Sequence, residues 1–337
     1  MHRNQLRVMG CVLLLLAATG VGRAAEVFDA AALAKQVEPF ISDKTVVVAH
    51  ASAERVDFDV LKANLTKWSN LAGEKTTDEQ VKTLDQSLQS GKEGLAAITK
   101  LGVRGAFVVV NIGELPADPG FVVVQLAADA DVDGIKKLIE ERILSKVPKG
   151  PDAPTYAIEK LGSVLYAGSD KWLKRVKLHL DSPVPRPDVA AALEAAGDAD
   201  VQWLLVPQSE PRALAAGLLP QLPPNLGGGP TTDVTEGLRW AAIGTSLVPA
   251  AKLKIVIQAK DAEAAKKLEG ILDKVFAMAK QADAPASEAA LRDDLLKKLT
   301  PQVNGDRLTA TLDEEQLEGI LKEAAAANAS APAPASK

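Results

Sequence analysis

Along residues 122–143 the spacing of apolar positions changes once. Val122, Val124 and Leu126 alternate as one face of a strand, and Val132, Ile135, Leu138, Ile139 and Ile143 then follow a helical stripe. The same change recurs 133 residues later, where Ile255, Ile257 and Ala259 alternate and Ala265, Leu268, Ile271, Leu272 and Phe276 repeat the stripe. At this offset Phe107 aligns with Trp240, Pro116 with Pro249, Val123 with Val256 and Gln125 with Gln258. Before each of these strands lies another apolar run, "AFVVVNI" or "RWAAIGTSL", joined to it by a short proline-bearing connector. So short a link forces an antiparallel pair, because a parallel return needs a crossover of about a dozen residues. Each copy therefore predicts a hairpin followed by a helix.

The flanking segments extend the plan. "PTYAIEKLGSVLYAGSDKWLKRVKLHL" predicts a hairpin turning at Leu161 and Gly162, then a helix capped near Ser169 or Asp170; "TPQVNGDRLTATLDEEQLEGILKEA" predicts a hairpin turning at Asn304 and Gly305, then a helix from Asp313. Upstream, "DKTVVVAHASAERVDFDVLKANLTKW" and "DADVQWLLVPQSEPRALAAGLLPQL" each read as strand, polar break and helix, with Phe58, Leu61, Leu65 and Trp68 forming the first helix's apolar stripe. The pattern predicts an α+β chain with internal duplication: two similar halves, 40–180 and 199–325, each ordered β-α-β-β-α-β-β-α around a mainly antiparallel sheet packed on helices. The first half carries an extra helix at 78–102, and residues 181–198 form a linker with one short helix. Residues 326–337, an alanine, serine and proline tail without a packing pattern, are expected to be disordered.

The N-terminus changes the setting. Two arginines precede an apolar run from Val8 to about Gly20, and small residues follow, which is the form of a secretory signal peptide over residues 1–24, cleaved near Ala24. The single cysteine, Cys11, precedes most of the apolar run, whereas a lipidated cysteine would follow it, so lipidation is not expected. The processed chain has no thiol and no other apolar stretch near the roughly 20 residues of a membrane span. It keeps 36 basic against 44 acidic side chains, a net charge of −8, which argues against nucleic acid as a partner. These features predict a soluble exported protein, periplasmic or extracellular, of a bacterial envelope.

Candidate chemistry is sparse. "HASAERVDFD" places His50 and Ser52 on one face of a strand end, with Asp57 behind, the residue types of a nucleophilic hydrolase. Residues two apart on a strand do not normally offer a base within reach of a hydroxyl, and Asp57 fits better as the cap of the helix at Phe58. His179 sits late in a lysine-rich helix, the place of a solvated imidazole. "DADVDG" from Asp129 to Gly134 partly resembles a calcium loop but lacks the distal glutamate, so capping by Asp129 or Asp131 is expected instead. The glycine-rich Asn225–Asp233 stretch has no lysine and is no phosphate loop. Residues 133–177 carry ten basic and six acidic side chains, a solvated face or a contact for anionic lipid or polysaccharide. No metal or cofactor is expected.

The stretches "LRWAAIGTSLVPAAKLKIVIQAKDAEAAKKLEGIL" and "KTVVVAHASAERVDFDVL" resemble exported bacterial proteins of unknown function built from a signal peptide and duplicated α+β halves. The resemblance implies export and this fold, and brings no activity or site residue with it. The expected role is a non-catalytic binding or scaffold module acting on an envelope protein or small ligand. The alternatives are a carrier holding an apolar ligand between sheet and helices, and a hydrolase using His50. A site, if present, is expected between the halves, near 78–102 and 221–236, where the two copies differ.

Overall fold

The computed structural model describes residues 28–330 except 74–76, 113–117, 119, 143, 147–153, 227 and 282–285. The signal segment with Cys11, Pro116, and residues 331–337 of the tail lie outside the described residues.

Among the described residues ten antiparallel strands form one sheet: β1 (Thr45–Ser52), β2 (Val103–Asn111), β3 (Gly120–Leu126), β4 (Tyr156–Leu161), β5 (Val164–Ser169), β6 (Val201–Leu205), β7 (Leu238–Ser246), β8 (Lys252–Ala259), β9 (Gln302–Asn304) and β10 (Arg307–Asp313). Their spatial order is β4-β5-β3-β2-β1-β6-β7-β8-β10-β9. The order runs outward from the middle in the same sequence on both sides: first strand, second, third, fifth, fourth. Each side thus contributes five strands, and they join edge to edge where β1 pairs antiparallel with β6, from Val47 opposite Leu205 to Ala51 opposite Val201.

Among the described residues eleven α-helices accompany these strands: α1 (Ala30–Val37), α2 (Phe58–Leu71), α3 (Asp78–Lys100), α4 (Val132–Arg142), α5 (Asp170–His179), α6 (Pro187–Ala196), α7 (Ser209–Leu218), α8 (Thr232–Thr235), α9 (Ala262–Gln281), α10 (Ala286–Lys298) and α11 (Glu314–Ser330). Local side-chain chemistry sets several of their N-termini. Asp57 Oδ1 accepts from the Asp59 and Val60 amides, Thr77 and Gln80 form a reciprocal capping box, Ser169 Oγ accepts from the Trp172 amide, and Asp313 and Gln316 cap each other. Helix α10 is an element the apolar pattern did not show, and α11 runs to Ser330, five residues into the segment expected to be a disordered tail. Alanine is the best helix former, so an alanine run extends a helix that has already started.

Two details of register differ from the sequence reading. Gly162 and Gly305, with φ of +63° and +62°, are the first residues of the β4–β5 and β9–β10 loops, so Leu161 and Asn304 are the last strand residues, paired with Val164 and Arg307. Both β2 and β7 shift register near their starts, at Val103/Gly105 and Leu238/Trp240. Beyond the shift Gly105 faces Gln125 and Trp240 faces Gln258, so Gly105, not Phe107, occupies the rung that corresponds to Trp240. The second hairpin is two residues shorter between these rungs.

The larger core covers one face of the sheet. Val48, Phe107, Val109, Phe121, Val123, Tyr166, Leu204, Trp240, Ala242 and Val256 lie on successive strands and pack under α1, α5 and α6. The linker helix α6 is therefore a central core element: Val189, Ala192 and Leu193 are fully buried. Gly244 permits this contact, since a Cβ there would stand 2.3 Å from the Ala196 carbonyl oxygen. On the opposite face α3 and α4 cover β2, β3 and β5 through Ile98, Ile135 and Ile139, and α9 covers the far strands through Ala265 and Leu268.

Candidate functional site

His50 lies in the middle strand β1, and its ring is enclosed by polar side chains from distant segments. Nδ1 is 2.8 Å from Gln202 Oε1 on β6, and Nε2 is 3.1 Å from Gln125 Oε1 on β3. Gln202 in turn donates to the Gly197 carbonyl at 2.6 Å, and Gln125 donates to Gln36 of α1. Both glutamines stand opposite glycines, Gly105 and Gly244, which leave room for them; a Cβ at Gly105 would meet Gln125 Oε1 at 2.4 Å. Phe107 packs on the imidazole with ring centroids 4.6 Å apart. Burial lowers the His50 pKa below its ordinary value, and the two glutamine bonds and nearby Arg55 are smaller influences.

Among the described hydrogen bonds, none joins His50 to Ser52 or Asp57. Ser52 Oγ instead accepts from the Glu54 amide at 3.3 Å, and Asp57 caps α2. The structure therefore does not assemble these three residues: His50 has amides on both sides, where a triad needs a hydroxyl and a carboxylate. Asp131 caps α4 through the Gly134 amide at 2.9 Å, His179 is exposed at the end of α5, and no cluster of metal-ligating side chains occurs among the described residues.

A cleft of about 520 Å³ opens at the C-terminal end of α3, lined by Ala53, Glu54, Thr99, Lys100, Arg104 and Asp129 among others. It touches the 78–102 region expected to border a site, whereas the 221–236 region packs on α7 and α9. Its lining mixes the small apolar residues Ala53, Ala96, Val103 and Ala127 with the charged Glu54, Lys100, Arg104 and Asp129.

The sheet's second face offers a surface of different chemistry. Trp203 and Leu205 of β6 point away from the main core, because the alternate residues Gln202 and Leu204 are buried in it. Trp203 opposes Ala49 on one side and Ile243 on the other, and Leu205 opposes Val47 and Ala241. Trp203 is 39% exposed, and Leu205 and Ile243 are each 36% exposed. Half-buried Ile255 and Ile257 continue the rows on β8. An antiparallel sheet can leave one face to water, but that face ordinarily carries polar residues, so this partly exposed strip of tryptophan and branched aliphatics is the anomaly of the fold.

No protein-family model matches this chain, and no curated protein matches it. The solved structure of TP0453 in its crystal form I superposes on 86% of this chain and 98% of its own, at 10% identity and a TM-score of 0.36, too weak a likeness to bear on fold or function. No helix among the described residues is long and apolar enough to cross a membrane.

Proposed function

We propose that this chain is an exported, non-catalytic binding module of a bacterial envelope, which holds an apolar ligand or partner surface against the strip formed by β1, β6 and β7. Export rests on the signal-like segment 1–24. The observation that carries the binding reading is the joint exposure of Trp203, Leu205 and Ile243 on adjacent rungs. Covering such side chains contributes about 25 cal/mol per Å² of apolar area removed from water. We also infer that the two halves arose by duplication, supported by the outward strand order shared by both sides and by the register shifts at corresponding places in β2 and β7.

An environment-sensitive apolar dye such as N-phenylnaphthylamine tests the site. The protein should bind it with saturation, and replacing Trp203 and Ile243 together by serine should weaken binding by about tenfold or more, the loss of roughly two buried apolar side chains, with the melting temperature preserved. Absence of dye binding, or equal binding by the double variant, would reject the strip as the site.

A further inference from the structure

On the other side of the sheet, α5 carries a second surface. Its inward face is apolar: Trp172, Leu173 and Val176 are buried against the main core. Its outward face brings together Lys171, Lys174 and Leu178, one helical turn apart, with Arg175 and Lys177 beside them. Leu178 is 79% exposed and Val184, just beyond the helix, is 56% exposed. Arg175 lies over the Trp172 ring at 4.6 Å, and Lys177 is paired with Glu159 of β4 at 2.7 Å. Asp170 and Asp181 mark the two ends of the segment.

We infer that α5 and the following turn dock the protein on an anionic phospholipid bilayer, with the lysines at the headgroups and Leu178 and Val184 entering the interface. The charge is complementary: a chain with net negative charge presents here a cationic helix, which orients this side toward an anionic surface. The two exposed aliphatics select lipid over other polyanions. A nucleic acid or polysaccharide in water gains nothing from a leucine amid lysines, whereas a bilayer interface accepts its side chain. This surface lies on the opposite face of the sheet from the strip of Trp203, so it stands or falls separately from the ligand reading.

Vesicle sedimentation with the chain beginning at Ala25, which retains every described residue, tests the inference. Partition onto vesicles containing phosphatidylglycerol should exceed partition onto phosphatidylcholine alone by about tenfold or more and fall with added salt. Lys174→Glu should lower it by about fivefold or more, the weight of a single cation near a charged membrane. Leu178→Ser should also lower it several-fold, with the circular dichroism unchanged because the side chain supports no core contact. Equal partition onto both vesicle types would overturn the inference. So would undiminished binding by Leu178→Ser, which would reduce the surface to a general polyanion contact.

Discussion

A neutral imidazole donates from one ring nitrogen only. Gln202 spends its amide nitrogen on the Gly197 carbonyl, so its oxygen faces Nδ1 and that nitrogen carries the proton. The second nitrogen then needs a donor, which Gln125 supplies when its amide and that of Gln36 both turn by half a rotation; with oxygen toward Nε2, the same pair suits a charged ring. Burial favours the neutral ring in the folded chain, while the unfolded chain regains the ordinary value of 6.5. The unfolded state therefore binds a proton that the folded state refuses, and stability is lost as pH falls from about 6.5 toward the lowered folded pKa, by about 1.4 kcal/mol for each unit of the shift once titration is complete. Urea melts between pH 8 and pH 5 should show this slope, and His50→Gln should flatten it. Buried Asp200, whose pKa is raised mainly by desolvation, works in the opposite sense above its ordinary 3.8, and it cancels between the two proteins.

At the scale of elements, Arg186 binds three segments together. Its guanidinium, 4% exposed, donates to both Asp188 carboxylate oxygens at 2.9 and 2.8 Å, to the Ser42 carbonyl ahead of β1 at 2.9 Å, and to the Val206 carbonyl after β6 at 2.7 Å. Arg186→Ala leaves Asp188 and two carbonyls with fewer donors and should cost about 3–5 kcal/mol, read as a lower urea midpoint with an unchanged slope. Arg186→Lys should recover only part of that, since an ammonium cannot reproduce the planar fork. Nothing in the local pattern "PVPRPDV" marks this arginine as buried. The local signals that were legible are those whose partners lie within a few residues: the cap at Asp57, the helix after Ser169, the hairpins around Gly162 and Gly305. Arg186 and His50 take their meaning from partners up to 152 residues away, and periodicity carries no information about those.

At the scale of the molecule, the β1–β6 rung makes a single sheet of what the sequence presents as two halves. The strand order of each half and most of its helices could be read from alternating and helical spacing; α8 and α10 in the second half could not. The edge-to-edge junction could not, because β1 has the same alternation whether its second edge meets β6, solvent or another copy. Nor could the exposure of Trp203, which depends on how the packed chain covers the second face of β6. The shared sheet and the core under α6, which takes side chains from both halves, predict one cooperative unfolding transition, with calorimetric and van't Hoff enthalpies in agreement. Two transitions, each retained by a separate half, would show that the junction couples them only weakly.

The junction also sets a timetable. Between Ser52 and Val201 lie 148 residues, so at about 5–20 residues per second the outer edge of β1 waits roughly 7–30 s for the strand that will close it. During that interval "TVVVAHAS", a β-branched run with no charge, is an open template for any extended chain nearby. Anything that keeps the nascent chain from pairing prematurely, whether a holding chaperone or passage through a pore in extended form, therefore sets the yield of folded protein.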